Sequence, residues 1–254
     1  MPAQDLIPVL PPDGSSGARR QRVLHFDPAT ALRVDLDQSG LAPLRPTQLE
    51  PAALRQRVAL PPPWQPDSRG DPPPLRLPDT PERAPTPAAV LVPIVLRAAC
   101  PTLLLTRRTA HLTDHAGQIA FPGGRRDEGD QSPEQTALRE AFEEVGLAAH
   151  HVEILGRLPE YRTITQYVVT PVVALVKPDF GLALDPFEVD EAFEVPLEFL
   201  MNPANHQRRE VPVHPEHASG RQFWAMPWQA NDREYFIWGA TAAMIRNLYR
   251  LLSA

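Results

Sequence analysis

The 254-residue sequence has little cysteine, no surplus of positive charge and no long apolar run, and each shortage excludes a class of protein. Its single cysteine, Cys100, has no partner for an internal disulfide, so a disulfide-stabilised scaffold is excluded. The 25 basic and 31 acidic residues give a net charge of −6, which leaves no basic excess for binding nucleic-acid phosphates. The longest apolar run, residues 88–96, contains Pro93 and falls far short of the ~20 residues of a membrane span. We therefore expect a cytoplasmic protein that binds neither nucleic acids nor membranes.

Proline is the residue in excess, because the chain has 32 prolines and 19 of them lie in the first 90 residues. Proline lacks the N–H group that helices and sheets use, so we expect residues 1–85 to form a mostly irregular, loosely packed proline-rich arm. Polyproline II segments are expected at residues 61–63 and 72–74, with one short amphipathic stretch at residues 48–58. A role of the arm as a PxxP ligand is the alternative to a simple linker.

From residue 86 the pattern changes to short strands mixed with helices. Strands are predicted at residues 90–96, 102–107, 152–158, 168–176, 222–226 and 235–238, and helices at residues 133–145, 196–201 and 240–252. Pro171 within the fourth of these strands indicates a sheet edge or a bulge. The mixture of elements predicts an α/β domain over residues 86–254.

The helix predicted at residues 133–145 has clear signals at both ends. Ser132 is its expected N-cap, Gln135 completes a capping box, and Gly146 is the expected left-handed residue after the last turn. Glu140, Glu143 and Glu144 fall within about 100° of arc on one side of this helix. A second set of side chains is expected to face the core from the opposite side: Leu138, Ala141, Phe142 and Val145.

Three clustered carboxylates repel one another and also lie near the negative end of the helix dipole. A bound divalent cation would compensate both effects, and oxygen ligands suit Mg²⁺ or Mn²⁺. The alternative, judged from the helix alone, is a solvated acidic face.

The residues around the helix resemble the Nudix box, G-x5-E-x7-R-E-U-x-E-E-x-G-U. Residues 139–147, R-E-A-F-E-E-V-G-L, match every specified position of its second half. In the first half Gln131 stands where the pattern has Glu, the spacing from Gly124 is one residue longer, and Asp130 is the nearest substitute carboxylate.

The Nudix resemblance implies an α/β/α sandwich with a mixed sheet between helices, and an enzyme that hydrolyses nucleoside diphosphate derivatives. It implies that Glu140, Glu143 and Glu144 are catalytic and bind Mg²⁺ or Mn²⁺, and that Arg139 orients them. The cation would neutralise charge on the diphosphate and make the attacking water easier to deprotonate. Glu140, Glu188 and Glu191 remain alternative proton acceptors.

The stretch at residues 104–124 resembles the signature of coenzyme A pyrophosphatases, L-L-T-x-R-[SA]-x3-R-x3-G-x3-F-P-G-G. It departs from this pattern at Thr109 and at Thr113, where the signature has a second Arg. This resemblance implies a small nucleotide substrate, coenzyme A or a derivative, cleaved to 3′,5′-ADP and 4′-phosphopantetheine. Substrate contacts are expected from Arg107, Arg108, His115, Gly123 and Gly124, since the two glycines allow close backbone approach.

Two alternatives to coenzyme A hydrolysis remain open at this point. One keeps the chemistry and changes the substrate to ADP-ribose or a dinucleotide. The other is a Nudix-fold binding protein without turnover, against which the intact Arg139 and glutamates argue. The resemblance also leaves a homodimer open, because Nudix domains often dimerise.

Overall fold

A computed structural model of the chain describes residues 27–34, 38, 40–67, 84–111, 116–163, 166–211 and 221–254. Two sequence positions of interest, Thr113 and His115, lie outside the described residues, as does the polyproline segment expected at residues 72–74. Within these ranges the strands are β1 Leu32–Val34, β2 Thr86–Val95, β3 Thr102–Arg108, β4 Ile119–Ala120, β5 Gly123–Arg125, β6 Val152–Arg157, β7 Tyr161–Arg162, β8 Tyr167–Val176, β9 Val189–Pro196, β10 Gln207–Val211, β11 Arg221–Ala230 and β12 Arg233–Trp238. The α-helices of the described residues are α1 Pro51–Ala59, α2 Pro133–Val145, α3 Leu197–Leu200 and α4 Gly239–Ser253.

Eight strands form one mixed sheet with the central order β4-β3-β2-β8-β6. Strands β2 and β8 run parallel, while β3 pairs antiparallel with both β2 and β9. Strand β5 pairs with the first half of β2 and therefore brings the glycine-rich segment to the centre of the sheet. The remaining strands form a separate antiparallel sheet, β1-β10-β11-β12.

Both faces of the large sheet are covered by helices. On one face Leu91 and Leu104 belong to a buried cluster with Ala137 and Ala141 of α2. On the other face the neighbouring residues of the same strands pack in a second cluster with α1 and α4: Val92, Leu105, Leu54 and Leu248. This period-2 alternation of buried residues is expected for a strand with both faces covered. The predicted α/β/α sandwich with a mixed sheet is confirmed. None of the described helices has the length and apolar character needed to cross a membrane.

The described part of the expected proline-rich arm is packed more closely than the composition suggests. Residues 61–63 lie outside helices and strands, as expected. However, Leu44, Leu49, Leu54 and Val58 are buried in the same core as α4. The expectation of loose packing is therefore wrong for this segment, because its few apolar residues are spaced to reach the sheet. The division of the chain near residue 85 stays a prediction.

Pro171 lies in an interior strand, since β8 is paired with β2 on one side and β6 on the other. The prediction of a sheet edge at this residue is wrong. Pro171 lies where the partner of β8 changes from β6 to β7, and its carbonyl accepts a hydrogen bond from the Leu158 N–H at 2.9 Å. A break between partner strands is a position where a missing N–H leaves no ladder bond unmade.

Candidate active site

Helix α2 begins and ends at the predicted residues. The Ser132 hydroxyl oxygen accepts from the Gln135 N–H at 3.4 Å, and Gly146 adopts a left-handed conformation with a φ of 72°. A capping box would have the Gln135 side chain accept a hydrogen bond from the Ser132 N–H. In the structure the Gln135 side chain instead accepts from the Gln131 N–H at 2.7 Å. Both ends of the helix that carries the carboxylates are thus fixed by local bonds.

The buried face of α2 is rotated from the one predicted. Ala137, Ala141 and Val145 are buried against the sheet, and Glu144 is buried with them. Phe142, expected in the core, is 60% exposed. The two small alanines let the helix lie close to β2. The face of α2 that meets the sheet therefore contains Ala137, Ala141 and the neighbouring Glu144.

Glu144 is the most buried of the three glutamates, with 3% of its side chain exposed. One carboxylate oxygen accepts from the Gly123 N–H at 3.1 Å, and the other lies 3.5 Å from Nη1 of Arg108. Burial raises the pKa of Glu144 to about 8, and the charges of Glu140 and Glu188 add to this rise. The Gly123 N–H and Arg108 oppose the rise in pKa without cancelling it. The site therefore holds a carboxyl group whose charge is only partly compensated.

Glu140 lies directly over Gly124. A Cβ atom at position 124 would come within 2.6–2.8 Å of the Glu140 carboxyl atoms, closer than van der Waals contact allows. Burial raises the pKa of Glu140, while Arg139 opposes the rise. Glycine at this position is thus required for the observed placement of a carboxylate, as the sequence predicted for close backbone approach.

Arg139 connects the loop before α2 to the glutamates. Its Nη1 lies 2.7 Å from Oε2 of Glu143, and its Nη2 lies 3.0 Å from Oε1 of Glu140. Nη2 also donates to the Arg125 carbonyl at 2.9 Å and to Asp130 Oδ2 at 3.0 Å. These contacts agree with the orienting role that the Nudix resemblance implies for Arg139.

Asp130, the carboxylate next to Gln131, which occupies the place of the first glutamate of the box, contacts Arg139. Its carboxylate also accepts from the Thr136 hydroxyl at 2.9 Å and from the Asp127 N–H at 3.0 Å. The Arg139 guanidinium, together with these donors, lowers the pKa of this buried carboxyl to about 2. Asp130 is therefore a charged partner of Arg139, a role that the spacing alone did not reveal.

Glu143 differs from the other two glutamates, because 55% of its side chain is exposed and its carboxylate is bound to Arg139. Within the described ranges, no three His, Cys, Asp or Glu side chains are already gathered closely enough to hold a metal ion. Arg139 contacts both Glu140 and Glu143, which explains why the three carboxylates do not converge. Their role as a common set of metal ligands stays a proposal.

The two adjacent arginines at the end of β3 point to opposite faces of the sheet. Arg108 approaches Glu144, whereas Nε of Arg107 lies 3.3 Å from Glu191 on the other face. Glu191 also pairs with Nη1 of Arg233 at 3.0 Å and accepts from the Tyr235 hydroxyl at 2.8 Å. The structure thus brings Arg108 to the carboxylates but not Arg107 or Glu191. The substrate role of Arg107 stays a prediction, as does that of His115, outside the described residues.

Glu188 is the acidic residue of the loop after β8 that acts on both buried glutamates. Its charge raises the pKa of Glu140 and that of Glu144. Its carbonyl accepts from the Thr109 N–H at 3.0 Å, which fixes this loop beside the end of β3. Glu188 is exposed, so it faces solvent at the rim of the site.

The chemistry of the donor set fits a hard divalent cation. Glu140 and Glu144 offer only oxygen donors, and the pKa of each carboxyl is raised. A nearby cation would favour the charged forms that burial and mutual repulsion now disfavour.

Comparison with known proteins gives one consistent family. Residues 85–216 match the NUDIX domain family. A relative described as the uncharacterized Nudix hydrolase NudL of Yersinia pestis (strain Pestoides F) is 43% identical over 166 residues, covering 65% of this chain and 79% of the relative.

Two solved structures with similar chains are a C. elegans Ap4A hydrolase binary complex and the NUDIX domain of Shewanella oneidensis NrtR complexed with ADP ribose. The first has a TM-score of 0.39 and 23% identity, covering 44% of this chain and 80% of that chain. The second has a TM-score of 0.37 and 23% identity, covering 46% of this chain and 75% of that chain.

The family match includes the large sheet, α2 and the loop that carries Glu188. Nudix hydrolases generally use divalent metal ions such as Mg²⁺ or Mn²⁺ and act on small nucleotide derivatives. The paired carboxylates, the glycine-rich strand and the relatives at 43% identity lead to the same assignment. The chain belongs to the Nudix hydrolase family.

Proposed function

We propose that this protein hydrolyses the diphosphate bond of coenzyme A and its derivatives in the presence of Mg²⁺ or Mn²⁺. The products would be 3′,5′-ADP and 4′-phosphopantetheine, or the corresponding acyl-phosphopantetheine. Acylated and oxidised forms are included, because the thiol end of coenzyme A lies far from the bond that is cut.

The observation that carries this proposal is the contact between Arg108 and Glu144. Arg108 is the arginine of the coenzyme A pyrophosphatase signature, and Glu144 belongs to the Nudix box. The same signature ends in Gly123, whose N–H binds Glu144, and in Gly124, which accommodates Glu140. The residues that resemble the subfamily therefore surround the carboxylates of the family, which supports a common site.

Glu140 and Glu144 are proposed as the principal metal ligands, with Glu143 available if it separates from Arg139. A bound divalent cation would neutralise charge on the diphosphate and promote deprotonation of the attacking water. Arg108 is proposed to contact a phosphate oxygen, since its guanidinium lies at Glu144 and 26% of its side chain is exposed. The Gly123 N–H and Arg139 keep the glutamates in position.

Glu188 is the proposed proton acceptor. Glu191 is bound to two arginines and a tyrosine on the other face of the sheet, so its carboxylate is committed. Glu140 remains the alternative, although its proposed role as a metal ligand competes with proton uptake. Glu188 is exposed to solvent, and its charge raises the pKa of both Glu140 and Glu144.

The decisive experiment is a hydrolysis panel with Mg²⁺ or Mn²⁺, using coenzyme A, ADP-ribose, NADH and a diadenosine polyphosphate. We expect coenzyme A to have the highest kcat/KM, with 3′,5′-ADP as a product. The Glu144→Gln variant is assayed in parallel, so that any activity independent of this site is identified. Cleavage of ADP-ribose or a dinucleotide without cleavage of coenzyme A would replace the proposed substrate. Binding without turnover would contradict an enzymatic role.

Thr113 offers a second test of substrate identity. It stands where the signature has Arg, so Thr113→Arg adds a cation at a position associated with coenzyme A. We expect a lower KM for coenzyme A and no comparable change for ADP-ribose. Thr109→Ser, which restores the small residue of the signature without changing charge, is the matched control.

A further inference from the structure

The loop between β8 and β9, residues 177–188, is fixed against the active site by backbone bonds. The Ala183 N–H donates to the Val145 carbonyl at 2.9 Å, and the Asp185 N–H donates to the Glu144 carbonyl at 3.0 Å. These bonds attach the loop to the last turn of α2, which carries the most buried glutamate. The loop is thus positioned by the same helix that positions the carboxylates.

The far end of this loop is fixed against β3. The Thr109 hydroxyl donates to the Phe187 carbonyl at 2.8 Å, and the Phe187 N–H donates to a carboxylate oxygen of Asp185 at 2.9 Å. Thr109 directly follows Arg108, the arginine that approaches Glu144. Both the N–H and the carbonyl of Phe187 are therefore hydrogen-bonded. The residue that binds its carbonyl, Thr109, is the neighbour of Arg108 in the active site.

The Phe187 ring is free although its backbone is fixed, because 73% of the residue is exposed. Among the described residues it is the most exposed aromatic side chain. It directly precedes Glu188, whose charge acts on Glu140 and Glu144. A solvent-exposed aromatic ring on a backbone that is bonded beside the carboxylates is suited to stacking against a flat ligand group.

We propose that Phe187 is a substrate-binding residue that stacks against the nucleobase of the substrate. This inference rests on the proposed function, because it takes the diphosphate to lie between Arg108 and the glutamates. A nucleoside places one sugar between its base and its first phosphate, so a base next to Phe187 would leave the diphosphate near Arg108. Stacking does not depend on hydrogen-bond pattern, since every base presents a π face.

Phe142 provides the contrast that makes the assignment testable. It is also exposed, at 60%, and it lies on α2 next to Glu143. However, it is on the helix face that points away from the sheet, whereas Phe187 adjoins Thr109 and Glu188 on the loop at the site. A general effect of removing an exposed phenylalanine should therefore occur at both positions, and a stacking effect only at Phe187.

The experiment compares Phe187→Ala, Phe187→Trp and Phe142→Ala in the full-length protein with Mg²⁺. Binding of ADP and of inorganic pyrophosphate is measured by calorimetry, and KM and kcat are measured with coenzyme A. We expect Phe187→Ala to weaken ADP binding about tenfold, as loss of a stacked base does, while pyrophosphate binding is unchanged. KM should rise by a similar factor with kcat nearly unchanged. Phe187→Trp should restore ADP binding, and Phe142→Ala should match the wild type.

The position of the ring can be tested separately from its presence. Thr109→Val removes the hydroxyl that binds the Phe187 carbonyl and keeps the side-chain shape. We expect weaker ADP binding than in the wild type but stronger binding than in Phe187→Ala.

Equal ADP affinity in Phe187→Ala and wild type would overturn the stacking proposal, as would an equal loss of pyrophosphate binding. Absence of hydrolysis in the wild type would overturn the proposed function instead. The ADP binding comparison would still decide the role of Phe187, because it does not depend on turnover.

Discussion

Arg139 binds Asp130 through two contacts, with Nε 3.3 Å from Oδ1 and Nη2 3.0 Å from Oδ2. The remaining nitrogen of the same guanidinium lies 2.7 Å from Glu143. One planar side chain therefore links the loop before α2 to the exposed end of the carboxylate cluster. The two hydrogen bonds to Asp130 fix the orientation of Arg139, since a guanidinium bound at two points cannot rotate freely.

Replacement of Asp130 by Asn should lower both stability and activity. The Asn side chain would have no negative charge to pair with Arg139. A charge-assisted hydrogen bond of this kind contributes about 2 kcal/mol to the free energy of unfolding. We expect kcat to fall roughly tenfold as the glutamates lose their orientation. Asp127→Asn is the control, because Asp127 is exposed and its carboxylate is 3.9 Å from Arg139. Equal effects of the two substitutions would contradict the role assigned to Asp130.

The Asp130–Arg139 contact should also make stability depend on pH. The folded protein lowers the pKa of Asp130 from 3.8 to about 2. A carboxyl whose pKa is lowered by folding stabilises the native state above its unfolded pKa, and this contribution is lost as pH falls through the folded value. The free energy of unfolding should therefore decline between pH 4 and about 2. Chemical denaturation at several pH values should show a shallower decline in Asp130→Asn.

The features that could be predicted from the sequence are those encoded by local residues. Helix α2 has both predicted ends because Ser132 and Gly146 act on neighbouring backbone groups. The alternating buried residues of β2 and β3 follow from strand geometry in the same way. The Nudix resemblance added the role of Arg139, which no local pattern would have indicated.

The features that could not be predicted depend on how distant segments pack. Phe142 and Glu144 exchanged their expected environments, because the alanines of α2 determined which face met the sheet. Strand alternation separates Arg107 from Arg108, but which of the two reaches the carboxylates depends on the side of the sheet that α2 covers. Glu191 also has partners in β12, which lies far from it in the sequence. The buried apolar residues of the proline-rich arm likewise depend on α4, which is far away in the sequence.

Glu144→Gln should abolish most of the activity without destabilising the protein. Gln keeps an acceptor for the Gly123 N–H but cannot supply a charged ligand, so turnover should fall by about two orders of magnitude or more. Folding raises the pKa of Glu144 to about 8 from 4.5, so its ionisation opposes folding as pH rises between these values. Without metal, the variant should therefore unfold at an equal or higher temperature than the wild type at pH 8. A clear loss of thermal stability would identify Glu144 as a structural residue instead.

Gly124→Ala should displace the Glu140 carboxylate while leaving the stability of the fold nearly unchanged. The added methyl would lie 2.6–2.8 Å from the Glu140 carboxyl atoms, which form the far end of a flexible side chain and can move away. We expect kcat to fall at least tenfold, because displacement of a reacting group by about 1 Å has such consequences. The unfolding temperature should change little. Gly129→Ala is the matched control, since its added methyl would meet nothing within 4 Å.

Asp67→Asn should show that the end of the described proline-rich arm is part of the fold. Asp67 lies 3.6 Å from Arg246 of α4, and both side chains are buried. The Arg246 guanidinium also lies over the Trp224 ring and beside His206. Its buried charge would therefore lose its acidic partner once Asp67 is replaced by the neutral Asn. Removing one partner of a buried ion pair costs about 3 kcal/mol, and we expect that loss in chemical denaturation. Arg55→Met, which breaks the exposed pair with Glu153, should have little effect, because solvent screens that pair. An Asp67→Asn variant as stable as Arg55→Met would mean that this segment rests on the surface without anchoring α4.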